Sequence, residues 1–162
     1  MSILSSTQDP EALTLTLVAA LAAPPARVWQ IWSDPRQLER WWGPPTWPAT
    51  FEEHDMIVGG GSRYYMTGPR GEKARGWWRF LAVDEPRLLE FEDGFADESG
   101  EPNPQMPTTR ASVELEETAA GTRMTVTSRF ATVEQMEQLV QMGMVEGMTL
   151  AMGQIDRLLA GA

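Results

Sequence analysis

From Leu13 onward, apolar and polar residues alternate with a period of two. Leu13, Leu15, Leu17, Ala19 and Leu21 fall on one side, with Thr14, Thr16 and Val18 opposite. That alternation predicts a half-buried strand. Residues 1–12 are polar and carry no pattern, so a flexible leader is expected there. Pro24-Pro25 ends the strand, and Pro25 suits the first turn of a helix, where its missing N–H goes unused. Ala26 to Trp32 then reads as a short helix with Val28, Trp29, Ile31 and Trp32 on its apolar side. Asp34 is placed to cap a second short helix from Pro35 to Trp41, which Gly43-Pro44-Pro45 stops.

The middle of the chain reads as strand after strand. Trp47 to Ile57, Ser62 to Thr67, Arg75 to Val83, Leu88 to Phe95, Thr109 to Glu116 and Arg123 to Phe130 are separated by turn residues such as Gly59-Gly60-Gly61 and Gly68-Pro69-Arg70-Gly71. Residues 96–107, with three acids and three prolines, predict a long exposed loop. The period then changes from 2 to 3.6. Val133, Met136, Val140, Met144, Met148, Ala151, Ile155 and Leu158 mark one stripe of a long helix of about 27 residues. Thr132 and Gln135 form a capping-box pattern at its start. Gly143, Gly147 and Gly153 interrupt it, and close backbone packing on the sheet is the expected reason. The order implies an α+β fold: an antiparallel sheet of six to seven strands covered by the long C-terminal helix, with two short helices after the first strand.

Composition narrows the chemistry. At 162 residues the chain fits a single domain, expected over 13–162. Thirteen Lys+Arg against 23 Asp+Glu give −10, which argues against nucleic acid as a partner. No apolar run is long enough for membrane insertion, and the N-terminus lacks the basic and apolar regions of a secretory signal, so a cytoplasmic location is expected. The absence of cysteine and the single histidine, His54, exclude thiolate and multi-histidine metal sites and a cysteine nucleophile. Neither a metal nor another cofactor is expected. Gly59-Gly60-Gly61-Ser62-Arg63 is followed by a strand and lacks Gly-Lys-Ser/Thr, so it reads as a turn and not as a phosphate loop.

Among titratable groups, Glu52, Glu53, His54 and Asp55 are the densest cluster in the strands. Alternation separates Glu53 and Asp55 from Glu52 and His54, so the four do not form one site. His54 is the catalytic candidate, because its charge changes near neutral pH. Trp77 and Trp78 face opposite sides of their strand. Trp78, Phe80 and Ala82 share one face, and Trp77, Arg79, Leu81 and Val83 the other. A strand apolar on both faces has both covered, which predicts a homodimer contact or an exposed patch on the second face.

Several punctuating residues carry a resemblance. Ala23-Pro24-Pro25-Ala26-Arg27-Val28-Trp29, Trp32-Ser33-Asp34-Pro35-Arg36-Gln37-Leu38 and Trp41-Trp42-Gly43-Pro44 come first. Asp55, Gly59-Gly60, Gly68-Pro69 with Gly71, Gly76, Pro86-Arg87-Leu88 and Gly121-Thr122-Arg123-Met124 follow in order. Together they resemble the START/Bet v 1-like (SRPBCC) superfamily, and within it the branch related to the Hsp90 ATPase activator. Two departures fall on cavity ground. Gly147-Met148 stands where the family commonly has Gly-Trp, and Ile57 where a basic residue is common.

The resemblance implies a helix-grip fold, with a curved sheet wrapped around the C-terminal helix and an interior cavity. It implies binding of a small hydrophobic or amphipathic molecule, of lipid, sterol or polyketide type, without catalysis. Two alternatives stand beside it: a polyketide cyclase- or hydrolase-like enzyme, and an Hsp90-type chaperone-binding protein. By position on strands and helix, the candidate ligand-binding residues are Trp42, Phe51, Tyr65, Trp78, Phe91, Val113, Val126, Met144 and Met148. Arg63 or His54 would orient a polar end.

Overall fold

In the computed structural model, which describes residues 3–161, alternation produces the strands where it is clearest. The strands are β1 (Ile3–Asp9), β2 (Thr14–Leu21), β3 (Ala49–His54), β4 (Gly61–Thr67), β5 (Lys73–Asp84), β6 (Leu88–Phe95), β7 (Thr109–Thr118) and β8 (Gly121–Arg129). They form one antiparallel sheet in the order β1-β2-β8-β7-β6-β5-β4-β3. Five consecutive hairpins build β3 to β8, and pairing of β2 with β8 brings the first part of the chain beside the last strand. Helices α1 (Pro25–Ser33) and α2 (Pro35–Leu38) carry the chain from β2 to the far edge at β3. The architecture is α+β with a single curved antiparallel sheet and a C-terminal helical segment, consistent with a helix grip.

The strand count is eight, not six to seven. The added strand is β1, which lies in the segment expected to be a flexible leader. It pairs antiparallel with β2, from Ile3 opposite Ala19 to Asp9 opposite Thr14. Its side chains are almost all exposed, so ladder hydrogen bonds define it without leaving a hydrophobic pattern.

Helix α1 starts with Pro25 in its first turn and buries Val28, Trp29, Ile31 and Trp32. The Asp34 side chain accepts from the Arg36 N–H at 3.0 Å and caps α2. The C-terminal helix is three segments rather than one rod: α3 (Val133–Gln141), α4 (Met144–Met152) and α5 (Ile155–Leu159). Thr132 caps α3 by accepting from the Gln135 N–H at 3.1 Å. The return half of the capping box is not made, because the Gln135 side-chain oxygen is buried without a partner among the described residues. Gly143 causes the first break. It adopts φ +93°, a left-handed conformation that glycine reaches without penalty. A Cβ at Gly143 or Gly147 would meet nothing within 4 Å. Close packing therefore does not explain these two glycines, contrary to the expectation above.

The segments α3 to α5 bury Met136, Leu139, Met152, Ile155 and Leu158 in the same core as Leu15, Leu17, Phe80, Phe91, Val113 and Val126 of the sheet. Trp32 sits at its centre, with ring centroids 4.7 Å from Trp41 and between 6.1 and 6.3 Å from Trp42, Trp78 and Phe91. On the outer face, the Trp77 indole lies against Gly94, where a Cβ would come within 2.6 Å of the ring. Its Nε1–H donates to the Phe95 carbonyl at 3.1 Å. The second apolar face of β5 is thus covered in part by its own sheet.

Candidate ligand cavity

Between the sheet and the C-terminal segment lies a cavity of about 310 Å³, at the lower end of ligand-pocket sizes. Tyr64 and Met66 on β4, Gly76 on β5, Asp93 and Phe95 on β6 and Thr109 on β7 form its sheet side. Leu139 on α3, the break at Met142–Gly143, and Met144, Gly147, Met148 and Ala151 on α4 form its helix side. Trp42, Gly43 and Pro44, in the turn after α2, close one end. The space exists because small residues stand at the points of contact. Gly76 pairs with Tyr64, and the tyrosine ring fills the place a Cβ would take, 2.5 Å from its hydroxyl. Opposite, Gly147 presents no side chain at all.

The polar content of this cavity is concentrated at one spot. Asp93 pairs with Trp78 across β5 and β6 and with Thr109 across β6 and β7. Its carboxyl makes no hydrogen bond or ion pair among the described residues. Burial pushes its pKa up to about 7, because an uncompensated charge is disfavoured away from water. Tyr64 is held neutral by burial and, second, by the nearby Asp93. The indole N–H groups of Trp42 and Trp78 beside its oxygen act in the opposite direction. Neither closes a hydrogen bond of normal geometry, and both nitrogens are buried without a partner among the described residues.

Of the residues expected to bind ligand, Trp42, Met144 and Met148 line the cavity. Phe51, Trp78, Phe91, Val113 and Val126 are buried in the packed core and do not line it. Arg63 and Tyr65 require correction, because both point to the outer face. Register pairs Ser62 with Trp78 and Tyr64 with Gly76 on the inner side, which turns Arg63 and Tyr65 outward. Arg63 donates to Glu101 Oε1 at 3.1 Å. The Tyr65 ring lies under Lys73 Nζ, 4.4 Å from its centroid. The inward tyrosine is Tyr64. Asp93, Met66, Phe95 and Thr109 are further liners that the sequence reading did not pick out.

His54 does not line this cavity. Its Nε2–H donates to the Trp32 carbonyl at 2.7 Å, and the Ser62 hydroxyl donates to its Nδ1 at 2.7 Å. A carbonyl only accepts, so the proton must be on Nε2. Burial lowers the His54 pKa, partly offset by the bond to Trp32. The ring is therefore neutral, with both nitrogens committed to structural partners. A second depression, about 680 Å³, runs along the Gly59–Gly61 turn. It is more open, and although His54 and Trp78 border it, charged residues line it (Glu53, Asp55, Arg63, Arg79 and Glu92), which suits an apolar molecule less well.

Comparison with known families decides the chain's relationship. The family described as Activator of Hsp90 ATPase homolog 1-like protein matches residues 22–160. The chain belongs to this family. Its fold is shared by a solved Arthrobacter aurescens protein, 54% identical over 99% of this chain and 94% of that one, with a TM-score of 0.95. A Mycobacterium smegmatis protein is 46% identical, covering 97% and 96% of the two chains, with a TM-score of 0.90. A Staphylococcus epidermidis protein is 26% identical over 96% and 94%, with a TM-score of 0.83. No curated protein matches the sequence. Among the described residues, no helix is long and apolar enough to cross a membrane, and no group of three or more His, Asp or Glu could hold a metal ion.

Proposed function

We propose that this member of the Activator of Hsp90 ATPase homolog 1-like family binds a small hydrophobic or amphipathic molecule, of lipid, sterol or polyketide type, in the cavity between sheet and C-terminal segment. The observation that carries this reading is the cavity itself. It is open, lined mainly by methionine, aromatic and glycine residues, and bounded on its helix side by residues that leave space unfilled. Methionine is unbranched and polarizable, so a methionine wall adapts to different apolar shapes. Burial sets the scale of affinity. A ligand hiding about 300 Å² gains roughly 7 kcal/mol. Association costs at least about 4 kcal/mol of that, so burial alone supports only millimolar binding and polar contacts must supply the rest.

Gly147→Leu tests the reading. Gly147 lines the cavity, and a Cβ there has nothing within 4 Å, so leucine enters empty space without displacing backbone. The expected result is at least about a tenfold loss of affinity for an environment-sensitive apolar dye, followed by fluorescence titration. Thermal stability should be unchanged or raised, because glycine inside a helix costs about 1 kcal/mol relative to better helix formers. Unchanged dye affinity in a folded Gly147→Leu protein would count against the cavity as the binding site.

A further inference from the structure

We propose that the ligand's polar end is a protonated amine, with Asp93 as its counter-ion inside the cavity; this inference rests on the cavity-binding reading above. Among the described residues, the Asp93 carboxyl is the one acidic group lining the cavity, and no cation is hydrogen-bonded or ion-paired to it. Arg75 also borders the space, but its guanidinium donates to Glu52 Oε1 at 3.0 Å and lies 5.2 Å from the centroid of the outward-facing Tyr65 ring. A half-buried carboxylate without a partner is costly and is ordinarily paired or protonated. Below about pH 7 a proton neutralises it; above that pH a cation bound in the cavity would supply the missing partner.

The surroundings select a cation over other heads. Trp42, Tyr64 and Phe95 border the same space as Asp93, and aromatic faces attract ammonium groups. An anionic head, such as a carboxylate, would meet Asp93 with like charge. The net charge of −10 favours entry of cations and opposes that of anions. The methionines at the other side accept an alkyl or ring body. Trp78 from β5 and Thr109 from β7 stand opposite Asp93, and Tyr64 from β4, Gly76 and Arg75 from β5, Met144 and Met148 from α4 and Trp42 from the turn share its cavity. Of these Tyr64 stays neutral, and the Arg75 guanidinium is engaged by Glu52. Ionisation of Asp93 through neutral pH therefore sets the pH dependence of binding.

Isothermal titration of the wild-type protein and Asp93→Asn with decylamine and 1-decanol, at about pH 8 and about pH 5, separates the possibilities. At the higher pH the wild type should bind decylamine at least about tenfold more tightly than decanol. That preference should fall to within about threefold at the lower pH, and in Asp93→Asn at both, with decanol affinity unchanged throughout. The wild-type pH comparison does not depend on the variant's folding. Equal affinity of the wild type for both probes at the higher pH, or a preference that survives in Asp93→Asn, would overturn the amine inference and leave the cavity reading standing. Binding of neither probe to the wild type would remove the cavity reading and this inference with it.

Discussion

Trp32→Ala is expected to lower unfolding stability by about 3–5 kcal/mol, the usual cost of deleting a large buried aromatic. Trp32 is 1% exposed and contacts Trp41, Trp42, Trp78 and Phe91. Its Nε1–H also points at the Met124 sulfur, 3.4 Å away. These five partners come from the turn after α2 and from β5, β6 and β8, so no single neighbour can close the gap left by alanine. Trp32→Phe keeps most of the ring contact and should cost less than half as much. Urea unfolding at constant m-value reads both variants. A loss under about 1 kcal/mol for Trp32→Ala would mean that the aromatic cluster does not anchor α1 to the sheet.

The second large effect is on pH dependence. Asp93 has its pKa raised to about 7 in the folded protein, against about 3.9 in an unfolded chain. Between these values the native state holds a proton that the unfolded state has released. Its contribution is therefore complete below about pH 4 and is lost as the pH rises through about 7. The full shift corresponds to about 4 kcal/mol. Asp93 borders an open cavity and is only half-buried, which reduces the expected loss to roughly 2 kcal/mol. His54 works in the opposite sense. Its pKa is lowered, so it withdraws stability as the pH falls through the unfolded value of about 6.5. Comparing wild type with Asp93→Asn at each pH cancels the His54 contribution. The variant should gain roughly 1.4 kcal/mol relative to wild type between about pH 5 and about pH 8, the two-thirds of the loss that falls above about pH 5. No gain, or a gain of opposite sign, would show that Asp93 is not buried as described.

Much of this arrangement was legible in the residues. Leu15, Leu17, Phe80, Val113 and Val126 declare their strands because burial on one face imposes the period of two. The Trp-rich segment and Asp34 mark the two short helices by their apolar spacing and cap. Strand β1 left no such trace, because an exposed edge strand is held by backbone bonds that almost any side chain permits. The break at Gly143 was visible as a glycine, but glycine serves close packing and left-handed turns equally well. Only the empty space around it distinguishes the two.

The cavity was less legible for a similar reason. Alternation assigns residues to two faces without saying which face is inner. Alternation allows Tyr65 on the inner face as readily as Trp78, yet the β4–β5 register puts Trp78 and Tyr64 inward and pairs Tyr65 with Arg75 on the outer side. The glycine opposite Tyr64 was the available clue, since a large ring needs a small neighbour. Asp93 was readable in principle: it stands two residues after Phe91 and so shares its inner face. An acid on an otherwise apolar face is the kind of exception that marks a functional position. Phe51, Phe91, Val113 and Val126 face inward but lie in solid core, and pattern alone does not separate a packed interior from an open one.

The cavity as a small-molecule site is tested most directly by methionine-methyl NMR during titration with 1-decanol. Met66, Met142, Met144 and Met148 line the space, whereas Met124, Met136 and Met152 are buried in the core away from it. The expected result is saturable shift changes concentrated at the first four, with little change at the other three. Shifts spread evenly over all seven methyls, or confined to Met124, Met136 and Met152, would contradict it.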